Sequence, residues 1–211
     1  MGQPILIFDF GNVVGYFDYL HAWERFAEGL GMTGPDFRDL IVERGFPRLL
    51  AEFECGRIAP DAFAARLMEM SGVRLSYEEF VRCWEDIFQL NEPVARLISR
   101  LESSGYRIYL GSNTNVLHAT FYRRTFASTM DRLDGFILSY EVGHLKPARE
   151  FFEACVEAAG VPASSCVFID DVAENVEGAR EAGLAAVQYV DTPTLIDDLR
   201  RVGVEVPASE G

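Results

Sequence analysis

The sequence predicts an α/β protein: a parallel β-sheet covered on both faces by helices, with a block of α-helices inserted after the first strand. Three observations lead there. Five short apolar runs are bounded by turn residues, amphipathic helical patterns sit between the later runs, and a long helical stretch separates the first run from the second.

The first run, Ile5–Phe8, opens almost at the first residue and reads as a buried strand; Arg107–Gly111, Gly135–Ser139, Cys166–Asp170 and Ala185–Tyr189 read likewise. Runs this short also occur as helix fragments, and here the flanking turn residues and the spacing favour strands. A helix over Pro93–Ser103 aligns Val94, Leu97, Ile98 and Leu101, with Gly105 just beyond. Ala148–Ala159 puts Phe151, Phe152, Cys155, Val156 and Ala159 on one face, between Pro147 and the stop signal Gly160. Glu174–Ala182 turns Val176 and Ala179 inward and ends at Gly183. Between Asp18 and Leu90 four amphipathic stripes follow one another: Leu20/Trp23/Phe26/Leu30, Phe37/Leu40/Ile41, Phe63/Leu67/Met70 and Phe80/Trp84/Ile87/Phe88, the last opened by a capping box at Ser76 and Glu79. Four such helices bury their stripes against one another as a small bundle. The expected division is therefore a core of residues 1–16 and 92–211 with a helical insertion over 17–91. The tail Val204–Gly211 reads as frayed.

Composition narrows the function. The 211 residues carry 19 Lys and Arg against 33 Asp and Glu, a net charge of −14, and 49% are hydrophobic. That supplies ample core and differs from a disordered chain. The acidic balance argues against a nucleic-acid surface and a polybasic membrane patch, both of which need many cations. A small anionic ligand needs only a few local donors and a metal ion, so it remains compatible. Cys55, Cys83, Cys155 and Cys166 form no C-x-x-C pair and read as reduced core thiols. The start, MGQPILIFDF, has no basic leader region, and no apolar run approaches the ~18 residues that span a bilayer. The expected setting is cytoplasmic; monomer and homodimer are both compatible with the sequence.

Ligands of open parallel sheets bind beyond the carboxyl ends of the strands. At those ends stand Asp9 with Gly11 and Asn12, then Ser112 and Asn113, then Lys146 at a helix start, then Asp170 and Asp171. Taken singly, each has a plain structural role as a turn, cap or solvated residue. Their order at four successive strand ends suits phosphoryl transfer. Asp9 and Asp170 offer hard oxygens to Mg²⁺, which takes few protein carboxylates and neutralises an incoming phosphate. Lys146 supplies fixed positive charge, Ser112 and Asn113 supply neutral donors, and N–H groups of the Gly11-Asn12 turn can face the same oxygens. A carboxylate beside the metal can attack phosphorus and form an aspartyl-phosphate that water then releases.

The segments FDFGNVV, LGSNTN, GHLKPAREFF and VFIDDVAENVEGAREAG resemble motifs one to four of the haloacid dehalogenase superfamily, and the resemblance runs from about Pro4 to Val190. Within it, the chain is most similar to the branch that includes alpha-D-glucose-1-phosphate phosphatase. The resemblance implies a Rossmann-like core with a helical cap after strand one, Mg²⁺ as cofactor, and a small-molecule phosphate ester, most readily a sugar phosphate, as substrate. It implies Asp9 as nucleophile and metal ligand, the Gly11 carbonyl as a second ligand, and Ser112 as the phosphoryl holder. It makes Lys146 the charge balance, Asp170 the acidic ligand and Asp171 a ligand through water or an orienting group. Asn113 and Asn175 are supporting positions. Most phosphatases of the superfamily carry a second Asp two residues after the nucleophile as general acid and base, and here that position is Gly11. Either the leaving group is a good one, or another acid substitutes, with Asp18 as the sequence candidate, or turnover is weak. A non-catalytic binding protein of the same fold and a metal-free 2-haloacid dehalogenase are the rival classes. The latter would set the Asp170-Asp171 pair against an anionic substrate. Tyr16, Phe17, His21, Phe53, Glu54, Arg57 and Trp84 of the insertion are conceivable substrate contacts.

Overall fold

The computed structural model describes residues 2–207. In chain order, β1 (Ile5–Phe8) and β2 (Gly15–Phe17) lead into helices α1 (Tyr19–Ala27), α2 (Gly34–Glu43), α3 (Phe46–Glu54), α4 (Pro60–Ser71) and α5 (Tyr77–Glu85). The chain returns through β3 (Phe88–Leu90), α6 (Glu92–Ser103), β4 (Ile108–Ser112), α7 (Val116–Thr125), α8 (Ala127–Met130), β5 (Gly135–Leu138) and α9 (Ser139–Val142). It closes with α10 (Arg149–Ala159), β6 (Cys166–Asp170), α11 (Ala173–Glu181), β7 (Ala185–Gln188) and α12 (Thr192–Arg201).

The five apolar runs become one parallel sheet in the order β5-β4-β1-β6-β7. β1 lies at its centre, with Leu6 opposite Ile108 on one side and Val167 on the other. Every residue of β1, β4 and β6 is buried, as both-face coverage requires. The period of two sorts them cleanly. Leu6, Phe8, Ile108, Leu110, Val167 and Ile169 pack against α6, α7 and α12 through Leu97, Ile98, Tyr122, Leu195 and Leu199. Ile5, Ile7, Tyr109, Cys166 and Phe168 face Phe151, Phe152 and Cys155 of α10 and Val176 of α11 on the opposite side. The strand order reverses direction at β1: β4 and β5 follow on one side, β6 and β7 on the other. That switch point leaves a crevice beyond the carboxyl ends of β1, β4 and β6.

The insertion leaves and rejoins the core through a two-stranded antiparallel ribbon, β2 with β3, pairing Tyr16 with Gln89 and Phe17 with Phe88. Beside it, Asn91 donates to the Val13 carbonyl and the Tyr189 hydroxyl, both at 2.8 Å, and pins the return point. The sequence pattern contains no alternation long enough to mark so short a ribbon. Five helices occupy the insertion rather than the expected four. Only two residues separate α2 from α3, so the stripe Phe46/Leu49/Phe53 merges with its neighbour when the sequence is read by period alone. The bundle has its own core of Trp23, Phe26, Phe37, Phe63, Phe80 and Trp84. The capping box at Ser76 and Glu79 forms as expected, with reciprocal bonds of 3.3 and 2.8 Å. All four cysteines are free thiols. Among the described residues no helix is long and apolar enough to cross a membrane. The tail is better anchored than its composition suggests: Val204 is buried, Glu205 N donates to the Tyr106 hydroxyl, and Arg100 donates to the Pro207 carbonyl. The rest of the expected frayed segment, 208–211, lies outside the described residues.

A histidine joins bundle to core. His118 on α7 stacks on Trp84 with ring centroids 4.8 Å apart, and its Nε2 lies 3.0 Å from the Trp84 carbonyl oxygen. The Asn115 amide nitrogen sits 3.1 Å from His118 Nδ1, while Asn115 Oδ1 caps α7 by accepting from His118 N. These partners assign the neutral tautomer with the proton on Nε2. Burial holds the imidazole down at about 3, outweighing the bond to the Trp84 carbonyl. The unfolded chain therefore binds a proton below pH ~6.5 that the native protein refuses, so stability falls as pH drops through that window. We expect this residue alone to cost about 2 kcal/mol between pH 7 and pH 5. Urea melts of wild type and His118→Gln across that range measure it as a shallower slope in the variant; parallel slopes would refute the assignment.

Candidate active site

Four loops at the carboxyl edge of the sheet bring their side chains to one point. Asp9 follows β1, Ser112 ends β4, Lys146 precedes α10 and Asp170 ends β6. All four are buried. Lys146 Nζ lies 2.8 Å from Asp9 Oδ1 and 2.6 Å from Asp170 Oδ2, and donates to the Gly111 carbonyl at 3.1 Å. One ammonium thus clamps the ends of β1, β4 and β6 together. The carboxylates of Asp9, Asp170 and Asp171 each offer an oxygen within 4.8 Å of the others.

Each clamp member is itself oriented. Asp9 Oδ1 accepts from Phe10 N at 2.7 Å. Asp170 Oδ1 accepts from Val172 N at 2.9 Å, and the Asn175 amide donates to both Asp170 oxygens at 3.0 and 3.2 Å. Asn175 reaches back from the first turns of α11, five residues after Asp170, so it orients the carboxylate without standing in the crevice. Asn113 grips the main chain of Lys146 on both sides, accepting from its N–H at 2.8 Å and donating to its carbonyl at 3.1 Å.

The charges do not balance, because three carboxylates face one ammonium. Burial pushes the Asp9 carboxyl up to about 7, with Lys146 pulling against it and Asp170 and Asp171 adding to the rise. Burial, reinforced by Asp170, also raises Asp171, against the bond from Asn12. For Lys146 burial alone would favour the neutral amine, but the pairs with Asp9 and Asp170 outweigh it and hold the ammonium charged. The excess of negative charge, the hard-oxygen donors and the Gly11 carbonyl, which accepts no hydrogen bond among the described residues, fit a small hard divalent cation.

Three sequence expectations need correction. Asn12 is not free to hold an anion: its N–H donates to the Gly15 carbonyl at 2.8 Å and its amide to Asp171 Oδ2 at 3.1 Å. It sits at φ 55°, the left-handed region in which a short amide side chain is tolerated, and so orients Asp171 instead. The Asn113 side chain is likewise engaged rather than free: its oxygen and one amide N–H hold the Lys146 main chain. Asp18 is exposed and caps α1 by accepting from Leu20 N at 2.9 Å, which turns its carboxyl to the helix end. The Ser112 hydroxyl is buried and makes one long contact, 3.4 Å to the Asn113 carbonyl. Among the conceivable contacts of the insertion, Phe53 and Trp84 belong to the bundle core, Phe53 stacking on Phe63 at 4.2 Å. Tyr16 and Phe17 are exposed on the ribbon, and His21 is exposed on α1.

A model of the haloacid dehalogenase-like hydrolases matches residues 5–183. The D-ribitol-5-phosphate phosphatase of Bacteroides thetaiotaomicron is 30% identical over 191 residues, 87% of this chain and 90% of that protein. The phosphatase MT3486 of Mycobacterium tuberculosis is 26% identical over 204 residues, 88% of this chain and 87% of that protein. A haloacid dehalogenase family enzyme from Bacteroides thetaiotaomicron, solved with magnesium and inorganic phosphate, superposes with a TM-score of 0.76 at 26% identity, covering 90% of this chain and 95% of that one.

Removing the clamp strands two buried carboxylates. We expect Lys146→Met to lower the unfolding free energy by ~3–5 kcal/mol at pH 7, the range for breaking a buried ion pair from one side. Equilibrium urea unfolding measures it, and a change under 1 kcal/mol would mean that the ammonium is not what holds these strand ends together.

Proposed function

Because the chain belongs to the haloacid dehalogenase-like hydrolase family, we propose that it is a Mg²⁺-dependent phosphatase of small phosphorylated metabolites, sugar and polyol phosphates foremost. The observation that carries the proposal is the buried Lys146 bridging Asp9 and Asp170 beside Asp171, a charge cluster that a phosphate and a cation together would complement. The likeness to a protein named for ribitol 5-phosphate supports the polyol and sugar class.

In this reading Asp9, Asp170 and the Gly11 carbonyl would hold Mg²⁺, and Asp171 would act through water. The cation, when bound, neutralises phosphoryl oxygens that the acidic cluster would otherwise repel. The carboxylate of Asp9 attacks phosphorus, and the aspartyl-phosphate so formed is released by water. Ser112 donates its hydroxyl to a phosphoryl oxygen. Lys146 takes up part of the negative charge that Asp9 passes to the phosphoryl group, and it favours the ionised form of Asp9 against the effect of burial. Asn113, Asn175 and Asn12 act indirectly, by fixing Lys146, Asp170 and Asp171. The helical insertion, residues 17–91, is the cap that covers the crevice and excludes water from the transfer. A dehalogenase reading would leave three carboxylates around an anionic substrate with no cation to offset them.

Phosphate release from p-nitrophenyl phosphate tests the proposal. We expect activity with Mg²⁺, loss of activity with a chelator, and restoration when Mg²⁺ is returned. Asp9→Asn should abolish release, a fall of at least ~10³, while the circular dichroism spectrum stays native. Activity retained in that variant would refute Asp9 as the nucleophile, and chelator-resistant turnover would refute the metal.

A further inference from the structure

An alkyl phosphate leaves as an alkoxide and needs a proton as its P–O bond breaks. The acids of the crevice are committed elsewhere. Asp9 and Asp170 hold Lys146, Asp171 is held by Asn12, and Asp18 caps α1. His118 is neutral and walled in against Trp84.

One further carboxyl is drawn toward this place by two independent chains of contact. Glu54 ends α3. On one side it neighbours Tyr19, whose hydroxyl is raised first by burial and then by the Glu54 charge. Tyr19 packs edge-on against Phe17, with centroids 5.6 Å apart. A Phe17 ring carbon in turn lies 3.0 Å from where a Cβ on Gly11 would stand, beside Asp9. On the other side Gly56, two residues after Glu54, is pressed so closely on α9 that a Cβ would sit 2.2 Å from the Tyr140 carbonyl oxygen. Its φ of +68° also favours glycine. α9 begins at Ser139, whose hydroxyl bonds both the N–H and the carbonyl of Thr114, two residues beyond Ser112. The end of α3 is thereby linked through packed neighbours to the Gly11 turn on one side and to the Ser112 loop on the other. The Glu54 side chain is partly buried, and burial is the whole cause of its raised proton affinity, about 7, with no ion pair or hydrogen bond contributing.

We propose that Glu54 is the general acid and base of the reaction, protonating the leaving oxygen and then deprotonating the attacking water. The proposal deepens the phosphatase reading and rests on it. In the first step an Asp9 oxygen bonds to phosphorus, the bond to the leaving oxygen breaks with its electron pair, and the Glu54 proton passes to that oxygen to release the alcohol. In the second, water bonds to phosphorus, the Asp9–phosphorus bond returns its pair to the carboxylate, and the water proton passes to Glu54. The cycle restores both residues without an outside reactant. A carboxyl titrating near neutrality suits both halves.

The test compares leaving groups. With Mg²⁺, kcat/KM is measured for ribitol 5-phosphate, which needs the proton, and for p-nitrophenyl phosphate, whose phenolate leaves without one. Glu54→Gln should lose ~10²–10⁴ on the alkyl ester and far less on the aryl ester. Glu54→Asp, which keeps the acid on a shorter arm, should recover part of the alkyl rate. Gln has the shape of Glu and leaves no buried acid, so its melting temperature should equal or exceed that of the wild type. Equal losses on both esters, or none on either, overturn the proposal and leave the phosphatase reading standing. A wild-type protein that releases phosphate from neither ester overturns both.

Discussion

An ammonium group with 1% of its side chain exposed must be paired or give up its proton, and Lys146 is paired twice, with Asp9 and Asp170. Much of the molecule serves that pairing. β1 and β6 lie side by side in the sheet, so the carboxylates that follow them arrive a few ångströms apart. β4 contributes the Gly111 carbonyl as a third acceptor, and Asn113 holds the lysine backbone in place. Asn175 and Val172 N fix Asp170 from the other side. One cation among three carboxylates leaves an excess of negative charge, which a second cation would offset. A buried ion pair is weak evidence for stability in itself; here its imbalance is the useful property.

The helical insertion is a separately packed body that meets the core at few, well-defined points. The ribbon β2-β3 carries the chain across, His118 stacks beneath Trp84, and Gly56 rests on α9. The aromatic residues that dominate its composition hold the five helices together rather than forming a wall for substrate. Phe17 of the ribbon is exposed and approaches the Gly11 turn, and Gly56 after α3 lies against Tyr140.

The sheet was legible because each strand is apolar on both faces and punctuated by turns, and all five expected strands are present. Asp9, Ser112, Lys146, Asp170 and Asp171 were legible because they stand at successive strand ends, where the topology forces convergence. The local use of amides was not. Asn12 and Asn113 read as free donors, yet each has its side chain engaged by a partner distant in sequence, Asp171 and Lys146. Such pairings leave no period or spacing. The ribbon escaped notice because three-residue strands are shorter than any recognisable alternation. α3 escaped because two residues of linker do not interrupt an apolar pattern. The raised proton affinity of Glu54 likewise depends on burial at the end of α3, which sequence does not encode locally.

The most direct measurement is anomalous X-ray diffraction from crystals soaked in Mn²⁺ as a heavier substitute for Mg²⁺. The account predicts one strong peak at about 2 Å, or slightly beyond, from carboxylate oxygens of Asp9 and Asp170 and from the Gly11 carbonyl oxygen. A peak elsewhere, or none at saturating Mn²⁺ with the two carboxylates still closed on Lys146, would contradict it.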